Sequence, residues 1–239
     1  GDYGSVGAET REKVLKAADE LGYVPNALAR SMVTARTYTI GLVIPDIRNT
    51  FFATVARSIE KRTHTENYRL FVCDTDNDVK REEAYLRDLY ERRVDGLIVA
   101  SSAGPGQMHK MLLRSTAPVI LIDRELRGAP FDTVRTDHEA GAHMAAKHLI
   151  SLGHRRIGII VGTGPESVHE QRIDGYRRAL EEHGIPFDPA LVKRRDWERG
   201  HQSVDELLAL SPPPTAIFAT NPVVTVAALV DLKRLGRKV

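Results

Sequence analysis

Tyr38-Thr39-Ile40-Gly41-Leu42-Val43-Ile44-Pro45-Asp46 decides the fold. The run is short, apolar and rich in β-branched residues, and Pro45-Asp46 ends it. Such a run, without polar alternation, suits a strand buried on both faces in a parallel sheet. The chain beyond it alternates. Asn49 or Thr50 caps a helix in which Phe52, Val55 and Ile59 recur at helical spacing. A strand is expected over residues 69–73, then a helix over 79–92 with Leu86, Leu89 and Tyr90 inward. The strand Gly96-Leu97-Ile98-Val99, a helix near 107–114, and the strand Val119-Ile122, closed by Asp123-Arg124, follow. A short strand near 133–135 leads to Asp137 and a helix with Gly141, Met144, Ala145, His148, Leu149 and Leu152 on one face.

A second series runs from Ile157 to the end. It reads as a strand over 157–161, a helix over 170–183, a short strand at Val192, a helix over 200–210, the strand Ala216-Ala219 and a helix over 223–235. Alternation of this kind implies an α/β protein with parallel sheets and right-handed crossovers. The two series meet near Ser151-Leu152-Gly153-His154, which predicts two doubly wound subdomains, 38–151 and 152–239. Ligands in such folds sit at the carboxyl ends of strands and in the cleft between paired domains.

Residues 1–37 read differently. A helix is expected over 8–21, with Val14, Leu15, Ala18 and Leu21 on one face, Glu9 and Glu12 in its first turn and Gly22 after its end. One amphipathic helix cannot bury its own face. Together with an opening at Gly1-Asp2-Tyr3 and an end just after a helix, this leads us to expect truncation at both ends. Between this helix and the first strand, Pro25 biases Val24 towards extended backbone, and Asn26 can cap a helix over 26–33. That helix is about two turns long, too short to hold in water without a partner. It carries Arg30, with Arg36 nearby, and no acid. The segment is either an ordinary linker or a helix that folds on an anionic partner.

Composition narrows the class. The 239 residues are 42% hydrophobic and 28% charged, as in a soluble globular protein, and the net charge of +2 provides no global basic field. Any nucleic-acid contact must therefore be local. Cys73 is the only cysteine, so no intrachain disulfide forms, and a reducing cytoplasm is expected. On its apolar strand it is expected to act as a small buried residue. No apolar run is long enough for a membrane span. Chemistry is sparse as well. Ile173 stands where a zinc helix opened by His169-Glu170 would need its second histidine, and no Gly-x-Ser-x-Gly elbow precedes a helix. After Gly162-Thr163-Gly164, Ser167 stands where a dinucleotide fingerprint needs glycine. No enzyme activity, cofactor or metal is expected.

Glu9-Thr10-Arg11-Glu12-Lys13-Val14, Leu21 through Ser31 and Ile40 through Asp46 closely resemble the lac/galactose-repressor (LacI/GalR) family of bacterial regulators. The resemblance continues through Arg93-Val94-Asp95-Gly96-Leu97-Ile98-Val99, Leu152-Gly153-His154-Arg155-Arg156-Ile157 and Pro214 through Asn221, in the family's order. It implies a periplasmic-binding-protein-like sensor preceded by the remnant, in 1–37, of a helix-turn-helix DNA-binding head and a hinge helix. It further implies a cytoplasmic, dimeric repressor of a palindromic operator that senses a sugar or related metabolite. The alternative is a periplasmic-type solute-binding protein for a sugar.

By the same resemblance, Asn26, Ala29, Arg30 and Met32 are the hinge contacts to DNA, with Met32 where the family usually has leucine as a minor-groove wedge. Phe51, Phe52, Asp137, Arg172, Trp197 and Asn221 are the effector positions. Phe51 suits a ligand contact better than Phe52, which also suits the core, and Asp137 either faces the ligand or caps its helix. One departure stands out: Pro222 follows Asn221 where the family usually has aspartate, which removes a carboxylate from the cleft.

Overall fold

The computed structural model describes residues 7–23, 27–103, 110–126, 128–162, 166–195 and 202–237, with the backbone alone at 27–30, 166–167 and 202. The chain divides into two compact units, Gly1–Thr37 and Tyr38–Val239. In the first, α1 (Ala8–Glu20) buries none of its residues, and Val14, Leu15 and Leu21 stay exposed. A Lys13–Glu9 pair at 2.8 Å braces its polar side. Helix α2 (Ala27–Thr34) overlaps the helix expected over 26–33, and Met32 on it is 86% exposed.

The second unit is α/β with two parallel sheets. Strands β1 (Thr39–Ile44), β2 (Arg69–Asp74), β3 (Gly96–Val99), β4 (Val119–Ile122) and β5 (Asp132–Val134) form the first sheet, in the order β2-β1-β3-β4-β5. Strands β6 (Ile157–Gly162), β7 (Val192–Arg195) and β8 (Ala216–Ala219) form the second, in the order β7-β6-β8. Every pairing is parallel; Ile40, for example, lies between Leu70 and Gly96.

Helices cover both faces of each central strand, which is why those strands read as unbroken apolar runs. Leu42 and Ile44 of β1 point to one face, with Phe52 and Ala56 of α3 (Thr50–Thr65). Val43 points to the other, among Leu86 and Leu89 of α4 (Val79–Glu91), Leu97, Val99 and Leu112 of the short α5 (Lys110–Leu113). On β6, Ile157, Ile159 and Val161 meet α6 (His138–Ser151) and α7 (Glu166–Glu182). Ile160 faces α8 (Gln202–Leu208) and α9 (Pro222–Arg234). Tyr176 closes the α7 side, fully buried with its hydroxyl donating to Ile157 O at 2.8 Å; burial pushes its pKa up to about 12.

Four expectations change. Tyr90 of α4 is exposed, and Glu82 takes the inward place, because burial follows 82, 86 and 89, not 90. The buried face of α6 is Ala142, Ala146 and Ile150, while Met144 and Leu152 are exposed. The reason lies in α7, where Gly175 brings its backbone against Glu139 and His143 and leaves room only for small residues. Helix α6, grouped by sequence with the first sheet, contributes Ala146 and Ile150 to the second sheet's core. Cys73 is only partly buried, since β2 is an edge strand with Phe71 and Val72 exposed. Among the described residues, no helix is long and apolar enough to cross a membrane.

Candidate functional site

Both sheets present their strand carboxyl ends, and the loops that follow, to one cavity of about 870 Å³. Topological switch points lie there, at β1/β3 and β6/β8, where successive crossovers leave in opposite directions and their loops part. The first sheet contributes Asp46 and Arg48 after β1, Phe51 and Phe52 at the start of α3, Asp76 and Asn77 after β2, Asp123 and Arg124 after β4, and His138. The second contributes Gly162, His169, Arg172, Arg195, Thr220 and Asn221.

Local geometry sets each side chain. Asn49 caps α3 by accepting from Phe51 N at 3.1 Å, which places two aromatics in the first turn. Their rings meet edge to face with centroids 5.0 Å apart; Phe51 is 37% exposed and Phe52 3%, so only Phe51 offers the cavity an open face. Arg48 ties two loops together, with Nε 2.9 Å from Asp46 Oδ1 and Nη2 2.9 Å from Asp76 Oδ1.

Asp123 holds a φ of +62°, and Arg124 N donates to Ile122 O at 2.6 Å, closing a γ-turn around it. Left-handed backbone at a non-glycine residue is strained, and such strain concentrates at binding sites. The turn separates its two side chains. Asp123 lies 3.2 Å from His138 Nε2, both nearly buried. Arg124 donates instead to Ser101 O and to Asn77 Oδ1, each at 3.0 Å. Burial lowers the Arg124 pKa to about 10, against the opposing pull of Asp123 and Glu82. Behind it, fully buried Glu82 accepts from the Ser101 hydroxyl at 2.7 Å and from Ser102 N. That network fixes the floor of the first wall and explains the inward acid on α4.

On the second wall, Asn221 caps α9, its Oδ1 accepting from Val224 N at 2.8 Å. Its amide nitrogen is left towards Gly162, where an added Cβ would come within 3.3 Å of it and 3.1 Å of His169 Cε1. Among the described residues Arg172 has one modest hydrogen-bond contact, to His138 Nδ1 at 3.5 Å, and burial lowers its pKa despite Asp123 nearby.

Of the effector positions expected from sequence, Phe51, Phe52, Arg172 and Asn221 line the cavity together. Asp137 does not; it caps α6, accepting from Ala140 N at 2.9 Å, and its neighbours Thr136 and His138 line the wall instead. Trp197 and Asn26 lie outside the described residues, as do the side chains of Ala29 and Arg30. Sequence reading passed over Asp123, Arg124, His138, His169 and Arg195. Asp123-Arg124 directly after a strand was the available signal for the first two.

The fold and cavity have counterparts. Residues 37–239 match the family model of periplasmic binding proteins and the sugar-binding domain of the LacI family. The HTH-type transcriptional regulator DegA of Bacillus subtilis is 36% identical, covering 99% of this chain and 71% of that protein. The HTH-type transcriptional repressor PurR of Aliivibrio salmonicida is 33% identical, covering 98% and 71%. A LacI-family transcriptional regulator from Enterococcus faecium, solved with bound ribose, superposes with a TM-score of 0.71 at 32% identity, over 84% of this chain and 73% of that one.

Proposed function

The chain belongs to the LacI family of transcriptional regulators, and from that premise we propose a cytoplasmic repressor that binds operator DNA and senses a small polar metabolite in its cleft. The observation that carries this reading is the shared cavity, whose walls come from both sheets. A ligand bridging the two walls binds one relative arrangement of the sheets better than another, and so shifts the population between them. Asp123, Arg172 and Asn221 offer the mixed donors and acceptors that hydroxyl groups require, and Phe51 an apolar face for a ring. A solute-binding protein of transport is not favoured, since the relatives that span this chain from end to end are regulators.

Residues 1–37 act as the end of the DNA-binding head and the hinge, with Asn26, Ala29, Arg30 and Met32 facing the operator. A thermal-shift screen of sugars and related metabolites on the complete protein tests the cleft. Ligand at about 100 times its Kd adds about 2.7 kcal/mol and raises Tm by several degrees. Arg172→Ala should abolish that rise. A rise that survives Arg172→Ala places binding elsewhere.

A palindromic operator calls for a second copy of the chain. The free edge of β2 presents Phe71 and Val72, with Arg92 over the Phe71 ring at 5.9 Å and exposed Tyr90 on α4. An exposed apolar edge strand is a template for pairing. Val72→Asp should turn a sedimenting dimer into monomer at micromolar concentration; a variant that remains dimeric assigns the interface to another face.

A further inference from the structure

The two walls of the cavity differ in charge. The first carries three carboxylates, Asp46 and Asp76 held by Arg48 and Asp123 by His138, together with Arg124, which is spent on Ser101 O and Asn77. The second, among its described lining residues, carries Arg172, Arg195, His169 and Asn221 and no carboxylate. Its α9 starts at the cavity with Asn221 as cap and Pro222 in the first turn, so the positive end of that helix dipole faces the same space.

Arg195 is the second and independent sign. It is 8% exposed at the end of β7, and its Nη1 donates to Asp231 Oδ2 at 2.6 Å, with Asp231 fully buried on α9. Its Nε has no hydrogen-bond partner among the described residues. A buried guanidinium serving only as one half of a structural ion pair satisfies its remaining donors as a rule, because an orphaned buried donor is destabilising. Arg172 beside the same cavity is likewise under-used, with one 3.5 Å hydrogen-bond contact, to a histidine, among the described residues. Two guanidinium groups with uncommitted donors therefore line one wall, and Asp231, the carboxylate paired with Arg195, is not among the lining residues.

We propose that the effector carries an anionic group, a carboxylate or a phosphate monoester, held against the second wall by Arg172 and Arg195 while its neutral part meets Phe51 and Asp123. This rests on the cavity being the effector site. Guanidinium is matched to both anions by its forked donors, and charge-assisted bonds of this type are about twice as strong as neutral ones. On the first wall Arg48 and Arg124 are already engaged by Asp46, Asp76, Ser101 O and Asn77, and the carboxylates there disfavour the same group, which favours one orientation of the ligand in the cleft.

The test uses inorganic phosphate, acetate and chloride at matched ionic strength, read by thermal shift on the complete protein. Wild type is compared with Arg172→Met and with the double variant Arg195→Met/Asp231→Leu, which removes the buried pair together and leaves no orphaned carboxylate. At about 50 mM, phosphate or acetate should raise Tm over chloride by about 2 °C or more in wild type, and the variants should lose that increment. An increment from phosphate alone assigns a phosphate monoester; one from acetate as well assigns a carboxylate. General salting-out by phosphate would persist in the variants, so equal increments in all three proteins overturn the inference. D-ribose raising Tm with no anion increment also overturns it, and leaves the effector reading of the cleft standing.

Discussion

Gly175→Ala should lower the Tm of the sensor by about 5–8 °C, a net loss of about 2 kcal/mol or more. A Cβ at this position would lie 2.1 Å from Glu139 O, 2.9 Å from Glu139 C and 2.9 Å from His143 N. All three atoms are backbone of α6, so no side chain can swing aside. The helices must part, which loosens Ala146 and Ile150 against Ile173 and Tyr176 in the second core. Alanine's better helix propensity, about 1 kcal/mol over glycine, opposes the loss but does not cancel it. Gly141 on α6 provides the control, since nothing lies within 4 Å of its added Cβ. Gly141→Ala should leave Tm unchanged or slightly raised. Thermal unfolding of both variants checks the argument, and an unchanged Tm for Gly175→Ala would show that the helices do not approach as described.

Met32→Gly should weaken specific operator binding by about 30-fold or more while changing non-specific binding little. Met32 is 86% exposed on an eight-residue helix, a large apolar side chain left in water. A wedge side chain offsets the unstacking cost of a kinked base step, a few kcal/mol, and glycine adds about 1 kcal/mol against the helix itself. Non-specific binding rests on phosphate contacts and does not use the wedge. Fluorescence anisotropy on operator and on scrambled DNA separates the two; equal losses on both remove the wedge role.

The architecture was legible because parallel strands buried on both faces announce themselves as apolar runs, and Ile40–Ile44 and Ile157–Val161 did so. What failed were the features that hydrophobic periodicity does not report. The true inner face of α6 is built of alanines, whose small contribution was outvoted by Met144 and Leu152. Glu82 is inward because Ser101 and Ser102, some twenty residues away, meet its carboxylate. Neither fact is local. The site was half legible. Phe51, Arg172 and Asn221 stood out by resemblance, while Asp123 and Arg195 depend on a γ-turn and on a partner in α9. Asp137 shows the limit of reading by position: one residue from the cavity wall, it caps a helix.

Occupancy of the cleft is proposed to set affinity for DNA. Operator affinity of the complete protein, measured by anisotropy with and without a ligand identified by thermal shift, tests it most directly. Wild type should change its operator Kd by about 5-fold to 150-fold on saturation, in either direction. Arg172→Ala should bind operator as the free wild type does and show no change. An operator Kd unmoved by a ligand that demonstrably fills the cleft would contradict the account.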